Sequence, residues 1–113
     1  MSVRTPLEET ILTEGLEDLI PLPEIAATVR IRRLVPSESL IQEVSSTLIT
    51  LLEEGLIQVW AGRWPAEPEV LDGAAARELL AVEGQYEFNS SSDLLRRAYY
   101  VNVENLRLPE GEP

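Results

Sequence analysis

The stretch LLEEGLIQVWAG, residues 51–62, decides the fold. Its first four residues close a helix whose apolar positions Leu40, Ile41, Val44, Leu48, Leu51 and Leu52 recur at three- and four-residue spacing. Gln42, Glu43, Ser45, Ser46, Thr50, Glu53 and Glu54 cover its other side. Gly55 is a natural left-handed stop, because without a Cβ it enters that conformation at no steric cost. From Leu56 to Trp60 the pattern changes to β-branched and aromatic residues, which predicts a strand entered directly from the helix.

Working outward, Thr5-Pro6-Leu7-Glu8 has the form of a capping box with proline at the first helical position. Leu7, Ile11, Leu12, Leu16 and Leu19 predict a first helix over residues 6–18, with Gly15 tolerated inside it. Pro21 and Pro23 forbid both a continuing helix and a central strand, so a short extended edge segment is expected there. A second helix starts at Pro23, buries Ile25, Ala26 and Val29, and ends near Arg32 or Arg33. Ser37 or Ser39 caps the third helix, and Ser39 with Gln42 gives a second capping-box match. Downstream, residues 62–71 read as a loop, and Asp72 caps a short helix that stops at Gly84. Residues 89–93 form a polar turn. Residues 96–103 form the last strand, with Tyr99, Val101 and Val103 on one face and Ala98, Tyr100 and Asn102 on the other. With no repeat and no linker, residues 1–113 are expected to form a single domain, its ordered core at about 5–105 and its acidic tail at 106–113.

This order of elements resembles the winged helix-turn-helix superfamily. IPLPEIAATV (residues 20–29) matches the first strand and second helix, and LIQEVSSTLITLLEEGLIQVWAG (residues 40–62) matches the third helix and first wing strand. The layout is also similar to small bacterial winged-helix proteins whose wing carries an inserted helix. The resemblance implies an α+β fold of three N-terminal helices packed on a small antiparallel sheet, with an extra short helix between the wing strands. It also implies that the third helix is a recognition helix presenting Ser37, Ser39, Gln42, Glu43, Ser46 and Thr50 to a DNA groove.

Charge speaks against that use. The chain has 20 acidic residues against 9 basic ones, a formal net charge of −11, and every base is arginine. Nucleic-acid affinity comes largely from neutralising phosphates, and no basic residue lies between Arg33 and Arg63. Arg30, Arg32 and Arg33 form one cluster, which reads either as a phosphate patch beside the third helix or as cations favoured at a helix C-terminus. With Gln42, Ser46 and Arg63 they are the candidate nucleic-acid contacts.

The other candidates are aromatic. Trp60 and Trp64 bracket Arg63 on the expected wing, and Tyr99-Tyr100 straddles the two faces of the last strand. Trp60, Arg63, Trp64 and Tyr100 are therefore the candidate partner-binding residues, since Trp, Tyr and Arg dominate binding hot spots. The competing reading places the rings in the core over the sheet.

Catalytic signals are weak. With neither Cys nor His, the chain cannot carry a disulfide, a thiolate nucleophile, a Ser-His-Asp triad or the usual zinc sites. The adjacent acids Glu8-Glu9, Glu17-Asp18 and Glu53-Glu54 diverge around a helix. No P-loop, EF-hand or dinucleotide motif is present. The expectation is a cytoplasmic, non-enzymatic protein without a cofactor, lacking a signal-peptide or membrane-spanning apolar run. It acts through contacts with a protein partner or with itself as a homodimer. The alternatives are a dimeric DNA-binding transcriptional regulator, and an acidic immunity- or antitoxin-like antagonist of a basic partner.

Overall fold

The structure, a computed structural model, describes residues 4–16, 19–62, 67–87 and 97–104. Expectations for Glu17, Asp18, Arg63, Trp64, the polar turn at 89–93 and the tail at 106–113 lie outside those residues.

Helix α1 (Pro6–Glu14) starts on the expected capping box. Thr5 Oγ1 accepts from the Glu8 amide at 3.1 Å, and Glu8 Oε1 accepts from the Thr5 amide at 2.9 Å. The helix is shorter than its leucine spacing predicts: Gly15 terminates it, donating back to the Ile11 carbonyl. Strand β1 (Ile20–Pro21) is a two-residue edge strand, as its prolines require. Helix α2 (Leu22–Arg32) closes with Arg33 in the left-handed region, at φ 54°.

Helix α3 (Leu40–Glu53) follows a 3₁₀ turn at Ser37–Ser39. The second capping box is not made. Ser39 has φ −118° and ψ 13°, outside the extended region a side-chain cap needs, and its hydroxyl donates to the Pro36 carbonyl at 3.4 Å instead. Leu40, Val44, Leu48 and Leu51 are buried while Ile41 and Leu52 sit at the margin. Each fully buried leucine favours the fold by roughly 1.5–3 kcal/mol over an exposed one. Gly55, at φ 78°, ends α3 as expected: the Leu56 amide donates to Leu51 O and the Gly55 amide to Leu52 O, both at 3.0 Å.

Strand β2 (Ile57–Gly62) runs on from that stop with strictly alternating burial. Strand β3 (Glu69–Val70) lies inside what the sequence presents as a loop, pairing Trp60 with Val70 and Ala61 with Glu69. Helix α4 (Gly73–Leu80) is capped by Asp72, whose Oδ1 accepts from the Ala75 amide at 2.8 Å. It ends at Ala81, so Gly84 is not its stop; Gly84 lies in a second 3₁₀ turn, Glu83–Tyr86, that carries Gln85 and Tyr86 inward.

Strand β4 (Arg97–Asn102) completes a four-stranded antiparallel sheet of order β1-β4-β2-β3. One face of the sheet packs on the helices, and residues from all four helices and from β1, β2 and β4 join a single buried cluster. The result is an α+β fold of four helices on one antiparallel sheet, with α4 inserted between its long strands.

Candidate functional site

Ser37, Gln42, Glu43, Ser46 and Thr50 are exposed on and beside α3, and Ser39 is half-buried, but the outward side of the helix is covered along one flank. Helix α4 lies along that flank, tied through its last turn. Ser45 Oγ donates to the Leu80 carbonyl at 2.8 Å, and Arg77 Nη1 pairs with Glu53 Oε2 at 3.5 Å. The same Leu80 carbonyl accepts from the Tyr86 hydroxyl at 2.6 Å, so two side chains satisfy an acceptor that the end of α4 leaves without a helical partner. Burial pushes the Tyr86 hydroxyl well above the usual tyrosine range, opposed by its hydrogen bond with Ser45.

A solvent-open groove of about 670 Å³ runs beside that contact, with Leu40, Ile41, Ile49 and Ala81 as its apolar lining. Arg30, Gln42 and Ser46 also line it, so three of the candidate nucleic-acid contacts come together. Glu38 and Glu83 line it as well, leaving it with more acid than base. Arg33 opens onto a neighbouring hollow with Arg30 and the turn into α3. Arg32 turns the other way and pairs with Glu14 at 3.5 Å. The arginine cluster thus divides, and it presents no continuous positive strip along α3. Glu53 and Glu54 sit at the end of α3, where the helix dipole disfavours negative charge. Arg77 and Arg4 answer them from other segments, at 3.5 and 3.4 Å.

Two of the three pairs of adjacent acids, Glu8-Glu9 and Glu53-Glu54, fall among the described residues. Glu8 closes the cap of α1, whereas Glu53 and Glu54 pair with different arginines. Among the described residues there is no group of three potential metal ligands, and no helix is long and apolar enough to cross a membrane.

The sheet face turned away from the helices holds the second candidate site. Trp60 lies there half-buried, its Nε1 donating to Gln58 Oε1 at 3.2 Å. Tyr100 is not on that face and cannot be a surface anchor. Its ring is fully buried on the helix side, its hydroxyl donates to the Ile11 carbonyl at 2.7 Å, and burial, with Glu14 and Glu24 nearby, pushes its pKa far up. The neighbouring Tyr99 is the outward ring.

Register makes a site of these residues. Pro21 pairs with Tyr99, Tyr99 with Trp60, and Trp60 with Val70. Directly paired residues share a face, so one apolar row crosses all four strands on the outer side. Val70, at its end, is 52% exposed. Sequence reasoning found Trp60 and the Tyr99-Tyr100 pair but took Tyr100 as the outward ring, and it missed Pro21 and Val70. The alternation in β4 contained the signal for Tyr99, but which alternate faced the helices depended on remote contacts.

Comparison with protein-family models, with curated proteins and with solved structures found no match.

Proposed function

We propose that this chain is a winged-helix-like domain that works through protein contacts and does not read DNA. The helix and strand order supports the frame. Taken without β3 and α4, it runs α1, β1, α2, α3, β2, β4, and the last strand lies between β1 and β2. That order and pairing support reading the fold as a winged helix with a small strand and a helix inserted in the wing.

The observation that carries the functional reading is α4 against α3. A recognition helix must enter a groove walled by phosphates. Here one flank of α3 is occupied through Ser45–Leu80 and Arg77–Glu53, and the exposed residues Glu38, Glu43, Glu53 and Glu54 on or beside the helix repel the backbone. The sheet's outer row, with Trp60 and Tyr99 at its middle, is the surface that fits protein contact.

Fluorescence anisotropy of a labelled duplex of mixed sequence tests this. At physiological salt no saturable binding is expected. The second reading, a DNA-binding regulator, draws on Arg30, Gln42 and Ser46 sharing one groove. It requires salt-sensitive binding that is lost in Arg30→Glu together with Arg33→Glu; that result would replace the protein-contact reading.

A further inference from the structure

The outer row of the sheet has a property that selects its partner. Although the chain carries 20 acidic residues, the strand residues described on this face include no carboxylate. Besides the row itself the face carries Gln58, Gly62 and one cation, Arg97, while Val101, on the same side of β4, is buried. Two molecules of net charge −11 repel one another at any approach. With no carboxylate among its described strand residues, this face adds no local negative charge from its strands to that repulsion. A strongly basic partner would find no acids here to pair with.

The row is also self-complementary. Its order across the sheet is Pro21, Tyr99, Trp60, Val70. A twofold axis running along the strands, midway between β4 and β2, lays Trp60 of each copy over Tyr99 of the other and Pro21 over Val70. The same operation places Arg97 over Gly62, its neighbour across the strands, so the two cations do not meet. Two sheets stacked in this way pack about 10 Å apart, and offset aromatic pairs add to the burial. A residue that meets its row-mate in the partner copy is what an isologous interface requires.

We infer that the outer face of the sheet is a self-association surface, and that its partner is a second copy of this chain. This rests on the protein-contact reading and names the partner for it. The dimer is weak. Strands β2 and β4 are about 20 Å long and the two-residue strands β1 and β3 about 7 Å, so at about 4.8 Å spacing the face is on the order of 250 Å², about a third of the ~800 Å² per partner found in a stable complex. Dissociation on the order of 100 µM or weaker is expected of so small an interface.

Sedimentation velocity on the full chain, across roughly 1 µM to 1 mM to bracket that range, tests the inference. The weight-average sedimentation coefficient should rise from that of a monomer to that of a dimer. Salt supplies a second signature. Because two acidic copies repel, raising NaCl from ~50 mM to ~0.5 M screens the repulsion and tightens association several-fold. Val70→Glu puts a carboxylate at an exposed edge position with little effect on folding, and should weaken association at least ~10-fold. Tyr99→Glu, checked for native circular dichroism, should do the same. Ile31→Glu, on α2 and 79% exposed, should change nothing. A monomer at every concentration overturns the inference and leaves the protein-contact reading to a different partner. A dimer indifferent to both sheet variants also overturns it. Duplex binding, measured separately, removes the protein-contact reading without bearing on whether the chain dimerises.

Discussion

At Gly15 the torsions are ordinary helical ones, φ −69° and ψ −10°, and the demand for glycine comes from its neighbours. A Cβ there would stand 2.8 Å from Tyr100 Cε2 and 2.9 Å from the Asn102 amide nitrogen, which donates to the Gly15 carbonyl. The obstructing backbone belongs to β4 and cannot step aside. Gly15→Ala should therefore cost about 1–3 kcal/mol by overpacking, read as a lower urea midpoint; an unchanged midpoint would show that α1 and β4 part freely. Tyr100, against which Gly15 packs, controls the alkaline limit of the fold together with Tyr86. Burial raises both hydroxyls above the unfolded value of 10.0, so the unfolded chain releases these protons first. Stability is then complete below pH ~10 and declines above it by about 1.4 kcal/mol per pH unit for each tyrosine. With no His, Cys or Lys in the chain, no other side-chain type with an ordinary pKa between 5 and 11 is present to blur that decline. Tyr100→Phe should cost about 1 kcal/mol at pH 8, where a buried hydrogen bond is lost, and should roughly halve the slope above pH 10. An unaltered slope would mean that Tyr100 is already open to solvent.

Two helices end by the same hydrogen-bond device on unlike residues. After α3 the left-handed position is Gly55; after α2 it is Arg33, with the Arg33 amide on Arg30 O and the Leu34 amide on Val29 O, both at 3.2 Å. A side chain in that region is strained, so Arg33→Gly should raise stability by about 0.5–1 kcal/mol, seen as a higher melting temperature. A fall would show that the guanidinium makes a contact worth more than the strain. The features legible in the sequence, Gly55, the Thr5–Glu8 box and the proline edge at Pro21, depend on residues within a few positions of one another. Those misread depend on distant ones or on a close competitor. Ser39 matched a cap, but its hydroxyl found the Pro36 carbonyl in a tight turn. Strand β3 is too short for any period to reveal, and only its register on Trp60 and Ala61 defines it. In β4 the residue types Tyr99, Val101 and Val103 look as apolar as their alternates. The face is chosen by Asn102, which donates from Nδ2 to Leu12 O and receives the Glu104 amide on Oδ1, and by the close approach of Gly15. For the same reason Trp60 was found as a site residue and the row that gives it meaning was not: a row is a statement about register, and register is fixed by the whole sheet.

Across the whole molecule, charge is the largest imbalance, and the described structure does little to answer it. Four ion-pair contacts are formed among the described residues, at 3.4–3.7 Å, and all have partly or fully exposed partners. Contacts of that kind contribute about 0–1 kcal/mol each, and Arg4 serves two of them at once. Against them stands the mutual repulsion of a net charge of −11 confined to a fold with a radius of gyration of 13.8 Å, little more than one Debye length at ~0.1 M salt. The two effects respond to salt with opposite signs: screening weakens the pairs and relieves the repulsion. Repulsion acts over longer distances and among more charges, so it should dominate. The melting temperature should then rise by a few degrees between ~10 mM and ~0.5 M NaCl, because about 1 kcal/mol moves a domain of this size by roughly 4–8 °C. The measurement belongs below the micromolar range, where self-association through the sheet adds nothing to the transition. A melting temperature that falls with salt would reverse the ranking and give Arg77–Glu53 and Arg4–Glu54 a larger share of the stability. Arg77→Ala would then settle which contact matters. On the ranking argued here it costs less than ~1 kcal/mol, because the Ser45–Leu80 hydrogen bond and the buried Ala76 and Leu80 still hold α4 on α3.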